Sequence, residues 1–145
     1  MIPQNLKRTR EELELKQKDL AKFFKLSPST ISGWEIGKDT IPIRRLIKYA
    51  NYFNLSLDYL FGITDINKEY KPITLDLKVI GKNLRNLRKN NTLTQQQIAD
   101  KLNTHRAAYS HYENAHNLIP VSFLYGLTHI YEDLSIDKLF NREKK

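Results

Sequence analysis

The stretch Gln17–Gly37, QKDLAKFFKLSPSTISGWEIG, has a counterpart 78 positions later in Gln95–Ala115, QQQIADKLNTHRAAYSHYENA. The match runs without a gap from residues 5–50 onto residues 83–128, and it resumes after one extra residue in the second copy. Self-similarity at a fixed period outweighs any local pattern, and two units are too few for a solenoid, which needs about three. The sequence therefore predicts two small tandem domains, named copy 1 and copy 2 below.

The composition narrows the class of protein. The chain has no cysteine, which argues against a disulfide framework and a thiolate metal site. No apolar run approaches the roughly 20 residues of a membrane span, and the first residues lack the apolar core of a signal peptide. The net charge of +8 is shared evenly by the two copies, which favours nucleic acid as the partner. We therefore expect a soluble, cytoplasmic protein that does not associate with membranes.

Hydrophobic spacing and capping residues predict five short helices in copy 1 and no strand. Ser27-Pro28 suits a serine cap followed by proline at the first helical position. Gly37 suits the left-handed residue that ends a helix. The expected helices span about residues 2–12, 17–24 and 28–36, followed by a fourth that Pro42 opens and a short fifth that Ser56 caps.

Copy 2 repeats this plan with a few departures. Thr74 is expected to cap a first helix over about residues 75–89, Thr94 a second and Ser135 a fifth, while Pro120 opens the fourth. Ala115 replaces the glycine of copy 1, so Asn114 or Asn117 is expected to supply the left-handed residue. The predicted boundaries are domain 1 at 1–63, a polar linker at 64–74, domain 2 at 75–141 and a charged, frayed tail at 142–145.

The segment Gln17–Lys38, with Pro42 and the Ser-Leu-Asp-Tyr-Leu-Phe-Gly run that ends at Gly62, resembles the Cro/repressor-type (XRE) helix-turn-helix family of bacterial and phage regulators. The resemblance covers essentially all of copy 1, and copy 2 matches less closely. It implies an all-α fold of two lambda-repressor-like domains with five helices each. In this family the third helix enters the DNA major groove and the second lies across the backbone. The implied function is a sequence-specific transcription regulator, a repressor, that binds double-stranded DNA without a cofactor.

Helix geometry divides each third helix into two faces. Ile31 and Trp34 lie three residues apart and share one face, as do Tyr109 and Tyr112, so both pairs are expected in the core. The residues between them then face outward, where Ser, Thr, Arg and His suit base edges. By position in the family, the base-reading residues are Ser27, Pro28, Ser29, Ser32 and Gly33 in copy 1, and His105, Arg106, Ala107, Ser110 and His111 in copy 2.

Other roles also follow from the resemblance. Gln17 and Gln95 match residues that contact phosphate at the start of the second helix and set register. Lys38 lies in the loop that touches the DNA backbone, and its counterpart in copy 2 is His116. Two structural ion pairs between the first and third helices are also implied, namely Arg10 with Glu35 and Arg88 with Glu113.

No catalytic signature and no metal site is predicted. The chain lacks the Ala-Gly bond of self-cleaving repressors, and it has no phosphate-binding glycine loop. All four histidines lie in copy 2, and no two of them have the i, i+4 spacing of a shared metal site. Histidine at the surface or facing DNA is the better interpretation.

Two alternatives concern copy 2. In the first alternative copy 2 is a protein-binding module, as in an antitoxin or inhibitor, instead of a DNA-binding domain. In the second it is the dimerisation surface of a homodimer. Arg106-Ala107 and His111 favour DNA, whereas Tyr125 and Tyr131, expected to be exposed aromatics, favour a protein partner. A linker of about 11 residues spans at most about 36 Å. One chain could then do what single-domain relatives do as dimers.

Overall fold

The computed structural model describes residues 5–145, so the expected helix start near Ile2 lies outside the described residues. The described chain is all-helical apart from one isolated bridge between Tyr70 and Lys144. Within it, no helix is long and apolar enough to cross a membrane. Copy 1 contains α1 (Leu6–Glu12), α2 (Gln17–Phe24), α3 (Pro28–Ile36), α4 (Ile43–Phe53) and α5 (Leu57–Leu60); copy 2 contains α6 (Leu77–Asn90), α7 (Gln95–Lys101), α8 (Arg106–Glu113), α9 (Val121–Thr128) and α10 (Ile136–Leu139).

Most helix starts confirm the predicted caps. The hydroxyls of Ser56, Thr94 and Ser135 each accept a backbone N–H from the first turn of α5, α7 and α10. The cap predicted at Thr74 is wrong, because the carboxylate of Asp76 accepts the first free N–H groups of α6 and starts that helix at Leu77. The start of α3 is as expected, but no side-chain cap forms there.

The turn after the third helix is left-handed in both copies. Gly37 has φ of 80°, as predicted. In copy 2 the expectation of an asparagine is wrong, because Ala115 itself has φ of 63° and Asn114 has φ of −87°. The turn is imposed by hydrogen bonds in which the N–H groups of His116 and Asn117 both donate to the carbonyl of His111, at 2.9 and 3.3 Å. These bonds offset the strain of an alanine in this conformation.

The buried hydrophobic residues of the two copies form one continuous cluster. In copy 1 the Phe24 and Trp34 rings meet edge to face with centroids 5.5 Å apart, over the fully buried Ile31. In copy 2 α6 lies so close to α8 that a Cβ at Gly81 would be 2.5 Å from a backbone oxygen of Glu113. Tyr131 belongs to this core with 3 % exposure, so its predicted exposure is wrong.

The two copies meet through the N-termini of α5 and α10. The carboxylate of Asp58 accepts hydrogen bonds from Ser135 Oγ at 2.7 Å, Ile136 N at 2.5 Å and Asp137 N at 3.3 Å. In return, the carboxylate of Asp137 accepts hydrogen bonds from three groups of copy 1. These donors are Ser56 Oγ at 2.9 Å, Leu57 N at 2.9 Å and Asp58 N at 3.0 Å.

This exchange makes the contact self-complementary. Ser56, Leu57 and Asp58 are the repeat equivalents of Ser135, Ile136 and Asp137, and each aspartate binds the other copy's triplet. A contact in which equivalent residues trade places relates its two sides by a two-fold axis. The two copies are therefore arranged as a two-fold pseudo-dimer within one chain.

The C-terminal tail is ordered, so the prediction of a frayed tail is wrong. The Arg142 side chain is fully buried, and its Nη1 donates to Asp137 Oδ1 at 2.7 Å and to the carbonyl of Leu55 at 2.6 Å. The Tyr70 ring of the linker covers its guanidinium at 5.4 Å. The tail is held because its one buried cation pairs with the carboxylate that sits between the copies.

The linker is anchored at both of its ends. Near its start Asn67 Oδ1 accepts the N–H of Ser56 at 3.1 Å. Near its end the side-chain amide of Asn51 both donates to and accepts from the backbone of Ile73, at 2.8 and 3.1 Å. Backbone hydrogen bonds also join residues 69–71 to residues 143–145. The linker therefore fixes the arrangement of the copies instead of tethering them loosely.

Replacing Arg142 with methionine should destabilise the whole protein. The substitution leaves the carboxylate of Asp137 buried without its counter-ion, at a cost of about 3–5 kcal/mol in the free energy of unfolding. Urea denaturation followed by circular dichroism measures this loss. Lys138→Met, at an exposed position of α10, is the control and should change stability by less than about 0.5 kcal/mol. Equal midpoints for the two variants would contradict the role given to Arg142.

Candidate nucleic-acid interface

In both copies the third helix packs one face inward and presents the other to solvent. Ile31 and Trp34 are buried as predicted, and Tyr109 is fully buried while Tyr112 is half-buried. α2 packs directly on α3, and α7 on α8, which gives the two-helix arrangement of a helix-turn-helix. The outward faces of α3 and α8 are the surfaces available to DNA.

The outward face of α3 carries few hydrogen-bonding groups. Ser27, Pro28 and Ser29 are exposed, and Ser32 is half-buried. The hydroxyl of Ser27 lies 2.9 Å from that of Ser29, so these side chains engage each other before any ligand arrives. Gly33, expected to be on the open reading surface, is instead buried under the side chain of Asp39.

Ile36 is a feature of this face that the sequence analysis missed. It is 65 % exposed at the last position of α3. Its place seven residues after Ser29, two helical turns along the same face, could have revealed it. If α3 enters the major groove, an exposed aliphatic side chain at this position suits contact with the methyl group of thymine.

The outward face of α8 offers more donors and more charge. His105, Arg106, Ala107 and His111 are exposed there, and Ser110 is half-buried. A guanidinium near the start of a reading helix can donate two hydrogen bonds to the O6 and N7 atoms of guanine. The two copies therefore present chemically different surfaces at equivalent positions.

The rings of His111 and His116 form a pair at the end of this face. Their Nδ1 atoms lie 2.9 Å apart, so in the neutral pair one Nδ1 donates a proton and the other accepts it. One outer Nε2 atom is then an acceptor and the other a donor. Within residues 5–145 no group of three or more metal-binding side chains is present, and this pair stands alone.

The two glutamines at the start of α2 and α7 contact the glutamates of the third helices. Gln17 Nε2 donates to Glu35 Oε1 at 3.0 Å, and Gln95 Nε2 donates to Glu113 Oε1 at 3.2 Å. Both glutamines are half-buried. Each one therefore ties its second helix to its third, which holds the two helices in register.

The Arg–Glu ion pairs are bidentate in both copies. Arg10 donates to Glu35 through Nε and Nη2 at 2.6 and 3.0 Å, and its Nη1 donates to the carbonyl of Leu15. Arg88 contacts Glu113 in the same way at 2.7 and 2.9 Å. Such paired, charge-assisted hydrogen bonds fix direction as well as distance. They join α1 to α3 and α6 to α8, and so set how each reading helix is presented.

The environment of these pairs changes their proton affinities. The hydrogen bond to Glu35 raises the pKa of Arg10, and that to Glu113 raises the pKa of Arg88. Burial by itself would raise the pKa of Glu113, but the hydrogen bonds from Arg88 and Gln95 contribute to an opposing effect that holds it below its usual value. Glu113 therefore stays ionised while it is 5 % exposed.

Exposed cations lie on or next to the second and third helices of both copies. Lys18 and Lys22 lie on the exposed side of α2, and Lys38 is exposed in the loop after α3. In copy 2 Lys101 is exposed at the end of α7, and Arg85 is exposed beside Glu113 with 3.6 Å between Nε and Oε1. Lysine and arginine at the rim of a reading helix suit phosphate contacts.

A helix-turn-helix family model matches the chain twice, over residues 6–60 and 84–139. The two matches cover most of the chain and contain both pairs of second and third helices described above. The chain belongs to the Cro/repressor-type (XRE) helix-turn-helix family. This family membership makes it a DNA-binding regulator with two tandem helical domains. No curated protein and no solved structure was found to match it.

The lowered pKa of Glu113 predicts an acid-dependent loss of stability. Because this pKa is lower in the folded state than in the unfolded state, the Arg88–Glu113 pair stabilises the protein fully above the unfolded-state value. That contribution is lost as pH falls through the folded-state value. The stability advantage of the wild type over Glu113→Gln should therefore be constant above about pH 5 and shrink as the pH falls further, through the ordinary glutamate pKa of about 4.3 and below it.

Thermal melts of the full chain at several pH values measure this difference. Glu132→Gln, at an exposed position of copy 2, is the matched control and should follow the wild type throughout. A constant difference between the wild type and Glu113→Gln would contradict the prediction.

Proposed function

We propose that this chain is a sequence-specific transcriptional repressor that binds, as a monomer, an operator with two half-sites in inverted orientation. α3 reads one half-site and α8 reads the other. The observation that carries this proposal is the reciprocal contact between Asp58 and Asp137. Occupying an operator is enough to block a promoter, so repression requires no activity beyond DNA binding.

The symmetry of that contact supports the orientation of the half-sites. A two-fold axis between α5 and α10 places α3 and α8 in two-fold-related positions. An inverted repeat in duplex DNA has the same symmetry, whereas a direct repeat relates its halves by translation along the helix. In dimeric relatives of this architecture, half-site centres lie about 34–36 Å apart. Here the pseudo-dimer takes the place of the homodimer.

The differences between α3 and α8 make the operator imperfect. Copy 2 presents Arg106 and the His111–His116 pair, whereas copy 1 presents mainly serine hydroxyls and Ile36. The half-site under copy 2 should hold a guanine contact that has no equivalent under copy 1. Gln17 and Gln95, next to the ion pairs, are assigned to phosphate contacts common to both halves.

The alternative functions of copy 2 receive less support. A protein-binding role rested on Tyr125 and Tyr131, but Tyr131 is buried and Tyr125 is half-buried. The N-terminus of α10, one surface of copy 2 that could contact a second chain, is already occupied by α5 of the same chain. Arg106 and His111 remain exposed on α8, where they can meet DNA.

Binding should depend strongly on salt. If about 6 phosphates are neutralised, the logarithm of the association constant should fall against the logarithm of salt concentration with a slope near −5. Fluorescence anisotropy of a labelled operator, selected from random DNA at a stated salt concentration, measures this slope. A slope shallower than about −2 would mean that DNA is not the main ligand.

The rigid pseudo-dimer should also be selective for half-site spacing. Inserting about 5 base pairs between the half-sites turns one of them to the opposite side of the duplex, since one helical turn takes about 10 base pairs. Affinity should then fall to that of a single half-site. Native mass spectrometry should find one chain on each uninterrupted operator. Two chains per operator, or equal affinity for a direct repeat, would refute the pseudo-dimer model.

A further inference from the structure

Gly33 lies on the side of α3 that faces away from the core. Ile31, two residues earlier, is fully buried, and two residues turn an α-helix through about 200°. An outward-facing glycine on a surface helix is expected to be open to solvent. Gly33 is nevertheless buried, so a group from outside the helix must cover it.

The covering group is the carboxylate of Asp39. A Cβ at Gly33 would lie 3.0 Å from Asp39 Oδ2, and the Asp39 N–H donates to the Gly33 carbonyl at 3.1 Å. The left-handed Gly37 turns the chain back and brings this loop onto α3. The missing side chain at Gly33 thus creates the space in which Asp39 rests.

This carboxylate is exposed and available for a ligand. Asp39 takes part in none of the ion pairs that the described residues form, and no hydrogen bond of its side chain is present among them. It lies over Gly33, which shares one face of α3 with Ser29 and Ile36 in helical register. A phosphate would be repelled at this point, so a base edge is the fitting DNA partner.

We propose that Asp39 is a specificity-determining residue of copy 1 that accepts a hydrogen bond from the N4 amino group of a cytosine in the major groove. An ionised carboxylate only accepts hydrogen bonds, and the cytosine amino group is the donor that Asp and Glu match. This inference rests on the proposed function, in which α3 faces DNA. It gives the half-site under copy 1 a required C·G pair.

In copy 2 a different side chain occupies the position that Asp39 covers in copy 1. The counterpart of Gly33 is His111, which fills the position with its own ring and is supported by His116 from the loop. The counterpart of Asp39 is Asn117, whose N–H donates to the His111 carbonyl at 3.3 Å. In copy 1 the loop after the third helix therefore supplies the polar group at this position, Asp39. In copy 2 the polar group is His111 of the helix itself, and the loop only contacts it through His116. A cytosine requirement should accordingly appear in only one half-site.

The competing interpretation is that Asp39 is an ordinary surface charge. A charge without a base contact repels every DNA sequence equally. Asp39→Asn would then tighten binding to all sequences by one common factor. A reading residue instead changes the ranking of the four bases at one position.

The test measures dissociation constants of the full chain for the selected operator and its single-base variants at one salt concentration. The wild type should prefer cytosine at one position of one half-site by about 5- to 50-fold. Asp39→Ala should abolish that preference. Asp39→Asn should shift it towards adenine, whose N6 and N7 atoms asparagine reads. Preferences in the other half-site should not change.

Two controls separate reading from charge and from folding. Asp65→Asn removes one exposed negative charge from the linker and should leave the base ranking as in the wild type. Melting curves should show Asp39→Ala and Asp39→Asn to be as stable as the wild type, since the side chain is exposed. Arg106→Ala should relax choice in the half-site under copy 2 only, which identifies the half-sites.

The outcomes distinguish this inference from the proposed function. If the wild type binds its operator selectively but both Asp39 variants keep the cytosine preference, the reading role is overturned and the repressor assignment stands. If the Asp39 variants change the affinity for all four bases by one common factor, the reading role is likewise overturned and the repressor assignment stands. If the wild type binds no sequence selectively, the proposed function fails and this inference fails with it.

Discussion

The arrangement of this protein depends on two carboxylates that are buried against each other's helix. Burial, opposed in part by the Ser135 hydrogen bond and reinforced by the charge of Asp137, raises the pKa of Asp58 above its usual value. Burial lowers the pKa of Arg142, although its pairing with Asp137 opposes that change. Two buried acids at a contact are costly unless every carboxylate oxygen accepts a hydrogen bond. Here six donors from the two helix N-termini, together with the guanidinium of Arg142, supply these hydrogen bonds. A one-residue slip would leave these buried carboxylate oxygens without their donors, so the contact specifies a single arrangement.

That constraint reaches the DNA-binding surfaces through the ion pairs of each copy. Arg10–Glu35 fixes α3 on α1, and Arg88–Glu113 fixes α8 on α6, while α10 also packs against α6. In copy 2 a buried ion pair and the packing of α10 on α6 thus connect α8 to the contact between the copies, and in copy 1 the equivalent ion pair holds α3 on α1. Because these contacts are stiff and directional, an operator of fixed spacing and inverted symmetry is the natural ligand. Small domains with modest cores gain specificity in this way without a larger interface.

Much of the fold and part of the candidate site could be predicted from the sequence. The repeat, the bounds of α2 and α3, the caps at Thr94 and Ser135 and the face occupied by Ile31 all follow from patterns a few residues long. Two of the errors have a local cause. Thr74 loses its cap to Asp76, which lies nearer the first apolar turn, and Ala115 takes a left-handed turn because the loop's hydrogen bonds require it. In each case a competing local contact overrides residue preference.

The sequence by itself determined what each copy is, because helix periodicity, capping and the spacing of Arg10 and Glu35 are encoded in short segments and occur twice. Only the tertiary structure decided how the copies act together. Ser56 and Asp137 are separated by 81 residues, and Arg142 meets the carbonyl of Leu55 from 87 residues away. The charge of the last residues assigned Arg142 to a frayed tail, and no sequence pattern placed Asp39 over Gly33. Their positions depend on surfaces that exist only after folding: a buried carboxylate between two domains, and the gap above a glycine on a helix.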